Sequence, residues 1–314
     1  MQQVKKSRLL KKYGITKTEL LFVFSFTIIP VIHFLLFYVY VNFNGFLMAF
    51  QKPVNNGANY VWTTAQFSRV FEALGTAGAE LRIAIKNTFL TFGIMLLMFP
   101  ASIIISYFLY KKIWFSGLFR ILFYLPHIIS GIVTAFFFKS FVSTRAPFAV
   151  LMQHLYGLDY VPSLLADSLF ANKMVFLHMI WLGLPGSMIL WLGTFSRIPT
   201  SVLEYAKMDG VGWIKELTLI ILPLIWPTFS LMFMMLFAGM FSASGSVFLL
   251  TGGEWKTQTL SNWFFMQVYG ANGSATTGVY NYMSAFGLLI TVPACIISLV
   301  IRFGLTRLVP DVDY

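Results

Sequence analysis

Glu204, Lys207 and Asp209 lie within one short polar run, residues 198–227, set between two long apolar stretches. Their neighbours are those of a mechanical joint. Ser201-Val-Leu-Glu204 fits a capping box, in which the serine oxygen accepts from a backbone N–H and the glutamate reaches back to the free N–H at the helix start. Pro199 limits how far that helix extends backwards. Gly210 is placed to close a helix of about two turns in the left-handed conformation. Gly212-Trp213 restarts a second amphipathic piece that runs through Leu222, and Pro223 and Pro227 mark the entry to the next apolar stretch. The spacing predicts two short helices with a fixed bend, held at both ends; such an object transmits a push that a floppy loop absorbs. Taken singly, Glu204 is explained by capping, Asp209 by a solvated turn and Gly210 by a helix end. The joint pattern is what marks the run as a moving part.

The rest of the chain offers little reactive chemistry. No G-x-x-x-x-G-K-[ST] run is present to cradle nucleotide phosphates. Neither H-E-x-x-H nor a Cys/His cluster at metal-ligand spacing appears, so the sequence predicts no metal site. No G-x-S-x-G nucleophile turn appears either, and no catalytic residue is assigned. The apolar stretches hold almost no Asp, Glu, Lys or Arg, whereas a proton- or sodium-coupled carrier or an intramembrane hydrolase needs ionisable groups there. His33, His127 and His178 sit in or near these stretches, where a lone histidine more often bonds a neighbouring helix than a ligand. Cys295 is the single cysteine and forms no internal disulfide; it reads as a small core residue.

The elements that position the polar run follow from hydropathy. Of 314 residues, 58% are hydrophobic and 11% charged, and the mean hydropathy is +0.78. A water-soluble domain cannot hide that much apolar surface, so the solvent is lipid. A spanning helix needs about 20 mostly apolar residues. Six stretches qualify: 20–41, 88–110, 119–142, 173–195, 226–250 and 282–303. Prolines inside them are tolerated in membrane helices, so each is read as one span. The basic start, Lys5 to Lys17, mimics a signal peptide, but the run after it is too long and lacks a small-residue cleavage site. With the N-terminus inside, 14 Lys and Arg fall on the inner side and 8 on the outer, which puts both termini in the cytoplasm. The net charge of +11 then reflects inner loops, and no nucleic-acid partner is expected. Residues 67–74 read as a short interfacial amphipathic helix. Ser242-Ala-Ser-Gly-Ser246 reads either as close helix packing through small residues or as an unwound stretch beside a polar cargo.

Glu204-Tyr205-Ala206, then Asp209 and Gly210, then Ile220-x-Leu222-Pro223, resembles the "EAA" segment of permease subunits from binding-protein-dependent ABC importers. Supporting elements are Asn87-Thr88 (like "NT"), Tyr124-Leu-Pro-His127 (like "LP"), Thr251-Gly252-Gly253 (like "TxGG") and Asn281-Tyr282 with Ser284 to Gly287. Their order over residues 80–305 is similar to the maltose and glycerol-phosphate type. Two departures stand out: Tyr205 replaces the first alanine, and Thr64-Ala-Gln-Phe67 stands near the place of "GLxNF". The resemblance implies an all-α polytopic fold with a cytoplasmic basic segment (1–19), a permease domain (20–305, its coupling segment at 198–227) and a cytoplasmic tail (306–314). It implies a prokaryotic plasma-membrane protein paired with a second permease. Two cytoplasmic ATPase subunits would dock on Glu204, Tyr205, Ala206, Asp209 and Gly210, with Ile220, Leu222 and Pro223 as support. An extracytoplasmic solute-binding protein would deliver cargo, and ATP and Mg would sit on the partners, with no cofactor in this chain. Sugars favour aromatic faces beside hydrogen-bonding groups; aromatics also fill lipid-facing positions. An oligosaccharide is the expected cargo, with Trp191, Ser242, Ser244 and Asn281 as candidate pathway residues. The alternative is a polytopic membrane enzyme or a stand-alone carrier.

Overall fold

Long apolar runs become helices here because hydrocarbon offers no partner for amide groups, so each run must pair its own N–H and C=O. The computed structural model describes residues 16–54, 59–76, 78–157, 159–242, 245–270 and 278–308. Most of the basic start, most of the tail, Ser244 and the turn at 271–273 lie outside these residues. The helices are α1 (Lys17–His33), α2 (Val41–Ala49), α3 (Ala65–Gly75), α4 (Ala79–Tyr110), α5 (Ser116–Ile128), α6 (Gly131–Phe141), α7 (Pro147–Tyr156) and α8 (Ala171–Phe195). Then come α9 (Thr200–Met208), α10 (Trp213–Lys215), α11 (Leu222–Leu224), α12 (Trp226–Ala238), α13 (Gly245–Leu250), α14 (Leu260–Tyr269) and α15 (Val279–Leu308). Wider π-helical turns at Phe34–Tyr40 and Glu216–Ile221 join α1 to α2 and α10 to α11.

Among the described residues, four helices are long and apolar enough to cross a bilayer: Leu21–Ala49, Ala79–Tyr110, Ala171–Phe195 and Val279–Arg307. Two bent pairs bring the number to six at most. The stretch 119–142 is one of these and is not a single straight span: α5 and α6 meet at 107°. Ile129 and Ser130 adopt extended backbone there, so no helical hydrogen bonds carry across. The stretch 226–250 is also broken, ending at Ala238 and resuming at Gly245. An unwound stretch is therefore what the structure shows at Ser242. Pro30, Pro100, Pro185 and Pro293, by contrast, stay inside continuous helices. A helix covers the stretch 67–74 as α3, and one hairpin departs from all-α: β1 (Gln51–Val54) pairs antiparallel with β2 (Asn59–Trp62).

The chain divides into two units, Met1–Val70 with Thr277–Leu288, and Phe71–Thr276 with Leu289–Tyr314. In the first, α1 starts with a capping box: Glu19 N–H donates to Thr16 Oγ1 at 3.3 Å, and Thr16 N–H donates to the Glu19 carboxylate at 2.7 Å. That backbone bond, with the Thr16 hydroxyl behind it, holds the Glu19 carboxyl below its usual range. The most hydrophobic part of Leu21–Ala49 has nothing buried within this chain. Asn281 Nδ2 donates to the Met48 carbonyl at 3.0 Å, and Arg69 stacks over Tyr282. Among the described residues, the second unit holds two buried clusters. One joins Phe138, Phe170, Met174 and Val247. The other gathers Phe99, Ile103 and Tyr107 from α4 and Trp191 and Phe195 from α8 with Leu217, Ile221 and Ile225 of the polar run.

Candidate docking segment and membrane cleft

The polar run is half anchored and half free. Its second half enters the core through Leu217, Ile221 and Ile225. The three recur every four residues, a spacing that already shares one helix face, and the π-helical turn at Glu216–Ile221, with more residues per turn, lines them up more closely. An 85° bend between Trp213–Leu224 and Trp226–Ala238 then turns the chain into α12. The first half, α9, ends at Asp209, and Gly210 takes φ +68°. Val211 N–H donates to the Ala206 carbonyl at 3.0 Å and Gly210 N–H to the Lys207 carbonyl at 3.1 Å, closing the helix end. The left-handed glycine stop is thus where the spacing puts it.

The start of α9 differs from expectation. Thr200, not a residue after Ser201, opens the helix, Pro199 takes the cap position at φ −57° and ψ 131°, and no side chain caps it. Proline's fixed φ suits that position and places Ser201 one residue inside the helix, out of capping geometry. Glu204 is therefore free of the capping role. It lies exposed with Tyr205, Lys207, Asp209 and Gly210, while Ala206 is buried against the chain. Ile220, Leu222 and Pro223 are partly buried. Apolar side chains stand out among the charges: Tyr205 is 67% exposed, Met208 81% and Leu219 70%. Exposed apolar groups framed by polar ones make this face a candidate for docking.

The motif does not include Glu216, although a carboxylate in the apolar run after Gly212 is a visible anomaly. It is only 5% exposed and its Oε1 lies 2.5 Å from Lys111 Nζ, at the C-terminal end of α4.

The break between α5 and α6 opens a cleft of about 430 Å³ lined by Met95, Pro126, His127, Thr134, Gly183 and Ser246, among others. Gly186 faces His127 so closely that a Cβ there would stand 3.1 Å from its ring. Behind the cleft, His178 Nδ1 is 3.0 Å from Ser246 Oγ, the helix-to-helix bond expected of a lone histidine. Trp191 does not line this cleft. It is fully buried, with Nε1 donating to Ser102 Oγ at 3.0 Å and its ring edge-on to Phe99. Ser242 is exposed, and Asn281 is buried in the first unit. Among the described residues no cluster of three or more His, Cys, Asp or Glu is placed to hold a metal.

Two of the resembling elements meet in space. Asn87 Nδ2 donates to the carbonyls of Lys256 (2.8 Å) and Gln258 (3.0 Å), and Thr88 Oγ1 accepts from Leu260 N–H at 2.8 Å. They clamp the loop after Thr251, whose Gly252 (φ +67°) and Gly253 (φ +95°) turn it sharply.

Comparison with known proteins gives two kinds of match. The solved structure of a bacterial ABC transporter involved in the import of the acidic polysaccharide alginate contains a chain that superposes with a TM-score of 0.73, covering 96% of this chain and 99% of that one at 22% identity. A bacterial alginate ABC transporter in complex with an alginate pentasaccharide-bound periplasmic protein gives 0.73 at 20%. In sequence, the multiple sugar-binding transport system permease MsmF of Streptococcus mutans is 25% identical over 281 residues, 87% of this chain and 91% of MsmF. The chain is a relative of the permease subunits of ABC sugar importers. It shares this permease fold over nearly its whole length. The maltose/maltodextrin permease MalF of Vibrio parahaemolyticus is 26% identical over 221 residues, but the match spans only 41% of that longer protein. No family model matches.

Proposed function

We propose that this chain is one of two membrane-spanning subunits of an ATP-driven importer, forming half of the route for a carbohydrate, specifically an oligosaccharide. A solute-binding protein delivers the cargo outside, and two ATPase subunits holding ATP and Mg dock on the inner face through Glu204, Tyr205, Ala206, Asp209 and Gly210. Both chain ends lie in the cytoplasm. The observation that carries the reading is the polar run: its second half is sunk in the core between α4 and α8, while α9 presents an uncovered face beside a rigid glycine stop. A push on α9 then reaches the helices that bound the pathway, and alternating access results from biasing two states rather than from bond chemistry. Carbohydrate cargo is supported by the names of the relatives, which include multiple-sugar and maltodextrin systems. Within the pathway the cleft at the α5/α6 break and the unwound stretch at Ser242 are the polar points at depth; Ser244 and Asn281 stay assigned to it as well. Trp191 acts through packing beneath it.

Gly210→Pro tests the docking claim. Proline fixes φ near −65°, roughly 130° from the φ the helix stop requires. The purified complex is expected to lose its ATPase subunit and the cells their sugar uptake, with the chain still membrane-inserted. Undiminished ATPase co-purification and uptake would refute the docking role.

A further inference from the structure

We propose that Lys111 and Glu216 form a pin that makes the polar run and α4 move as one body, a positioning contact between the docking face and the membrane core. The proposal rests on the importer reading. Glu216 sits where α10 passes into the π-helical turn, and its side chain is almost fully buried with Oε1 2.5 Å from Lys111 Nζ. Lys111 is the C-cap of α4, where a cation also complements the helix dipole. Its ammonium lies 5.8 Å from the centre of the Tyr107 ring. The α4 terminus is itself tied down: Arg120 Nη2 donates to the Leu109 carbonyl at 2.8 Å. Among the described residues this is the one salt bridge in the chain.

An apolar pair would hold these two elements together at least as well, since desolvating two charges offsets much of their attraction. What a buried ion pair adds is register: a carboxylate and an ammonium lock one relative position, where leucines slide among several. Leu217, Ile221 and Ile225 supply adhesion at this joint, and the pin supplies its setting. The push on α9 then moves α4 without slippage.

The test uses the purified transporter with its ATPase subunits, in a Cys295→Ser background, with spin labels on Leu219→Cys and Glu80→Cys. Both positions are exposed, and they sit near opposite ends of α4, a helix about 48 Å long. Label distances are measured without nucleotide and after trapping with ATP and vanadate. In the otherwise unaltered chain the distance is expected to be the same in both states. With Glu216→Gln the trapped distance shifts by about 3 Å or more, over half a helical turn, and exchanging the charges (Lys111→Glu with Glu216→Lys) restores it. If Glu216→Gln fails to accumulate, Lys111→Met is measured in its place. A trapping-dependent distance in the unaltered chain, an unchanged distance in the single variants, or an exchange variant no better than they are overturns the pin. A chain that never co-purifies an ATPase overturns the importer reading instead.

Discussion

Gly253 shows how little freedom some residues have. Its φ of +95° suits glycine alone, and a Cβ there would stand 2.1 Å from Asn262 Oδ1. Gly253→Ala is therefore expected to lower the melting temperature of the detergent-purified chain, since left-handed backbone alone costs an L-residue about 1–2 kcal/mol. Gly212→Ala, which has nothing within reach of its Cβ, is the control and should melt as the original. Asn87 makes a second case. Replacing it with leucine removes two donors at once from the Lys256 and Gln258 carbonyls. Each buried group left unpaired costs about 1–3 kcal/mol. Asn172 still donates to the Lys256 carbonyl at 3.0 Å, so the loss falls mainly on the Gln258 side. A thermal melt of Asn87→Leu that matches the unaltered chain would dismiss the clamp.

At the scale of elements, the π-helical turn at Glu216–Ile221 is the joint on which the polar run depends. Inserting one alanine after the exposed Thr218 adds a residue beyond the one the turn already absorbs and should rotate the downstream residues, from Ile221 into α11, by about 100° relative to Leu217. Membrane insertion should persist while uptake falls at least tenfold; uptake within twofold of the unaltered chain would show that this register is dispensable. This turn is not legible in the sequence, because Glu-Leu-Thr-Leu-Ile-Ile reads equally well with either period. The spans are legible, since twenty apolar residues in a row have few alternatives. Their breaks are not. Pro126 looks no different from Pro100 or Pro185, yet only near it does the helix end, at Ile129 and Ser130 before Gly131. The stop at Gly210 is readable because left-handed backbone selects glycine. The cap expected at Ser201 does not form, because Pro199 competes for the same position, while a complete capping box forms at Thr16 and Glu19.

For the molecule as a whole, the distribution of Lys and Arg sets an expected direction. A membrane-impermeant maleimide applied to intact cells should label Tyr60→Cys and spare Met208→Cys, both built on Cys295→Ser, with the pattern reversed in inside-out vesicles. Both side chains are exposed, so burial does not confuse the result, and labelling of Met208→Cys from outside would invert the topology. One further consequence belongs to the interrupted spans. Helix ends at Ile128 and Ala238 take up some carbonyls of their last turns, those of Leu125, Met235 and Phe237, through the N–H groups of Ile129, Gly239 and Met240, and leave others outside the helical ladder. An oily layer supplies those with no partner, so these depths must be wet. Deuterium should reach the amides of Gly131 and Ser242 long before it reaches those in the middle of α4, tracing a column of solvent where the hydropathy profile shows only fat.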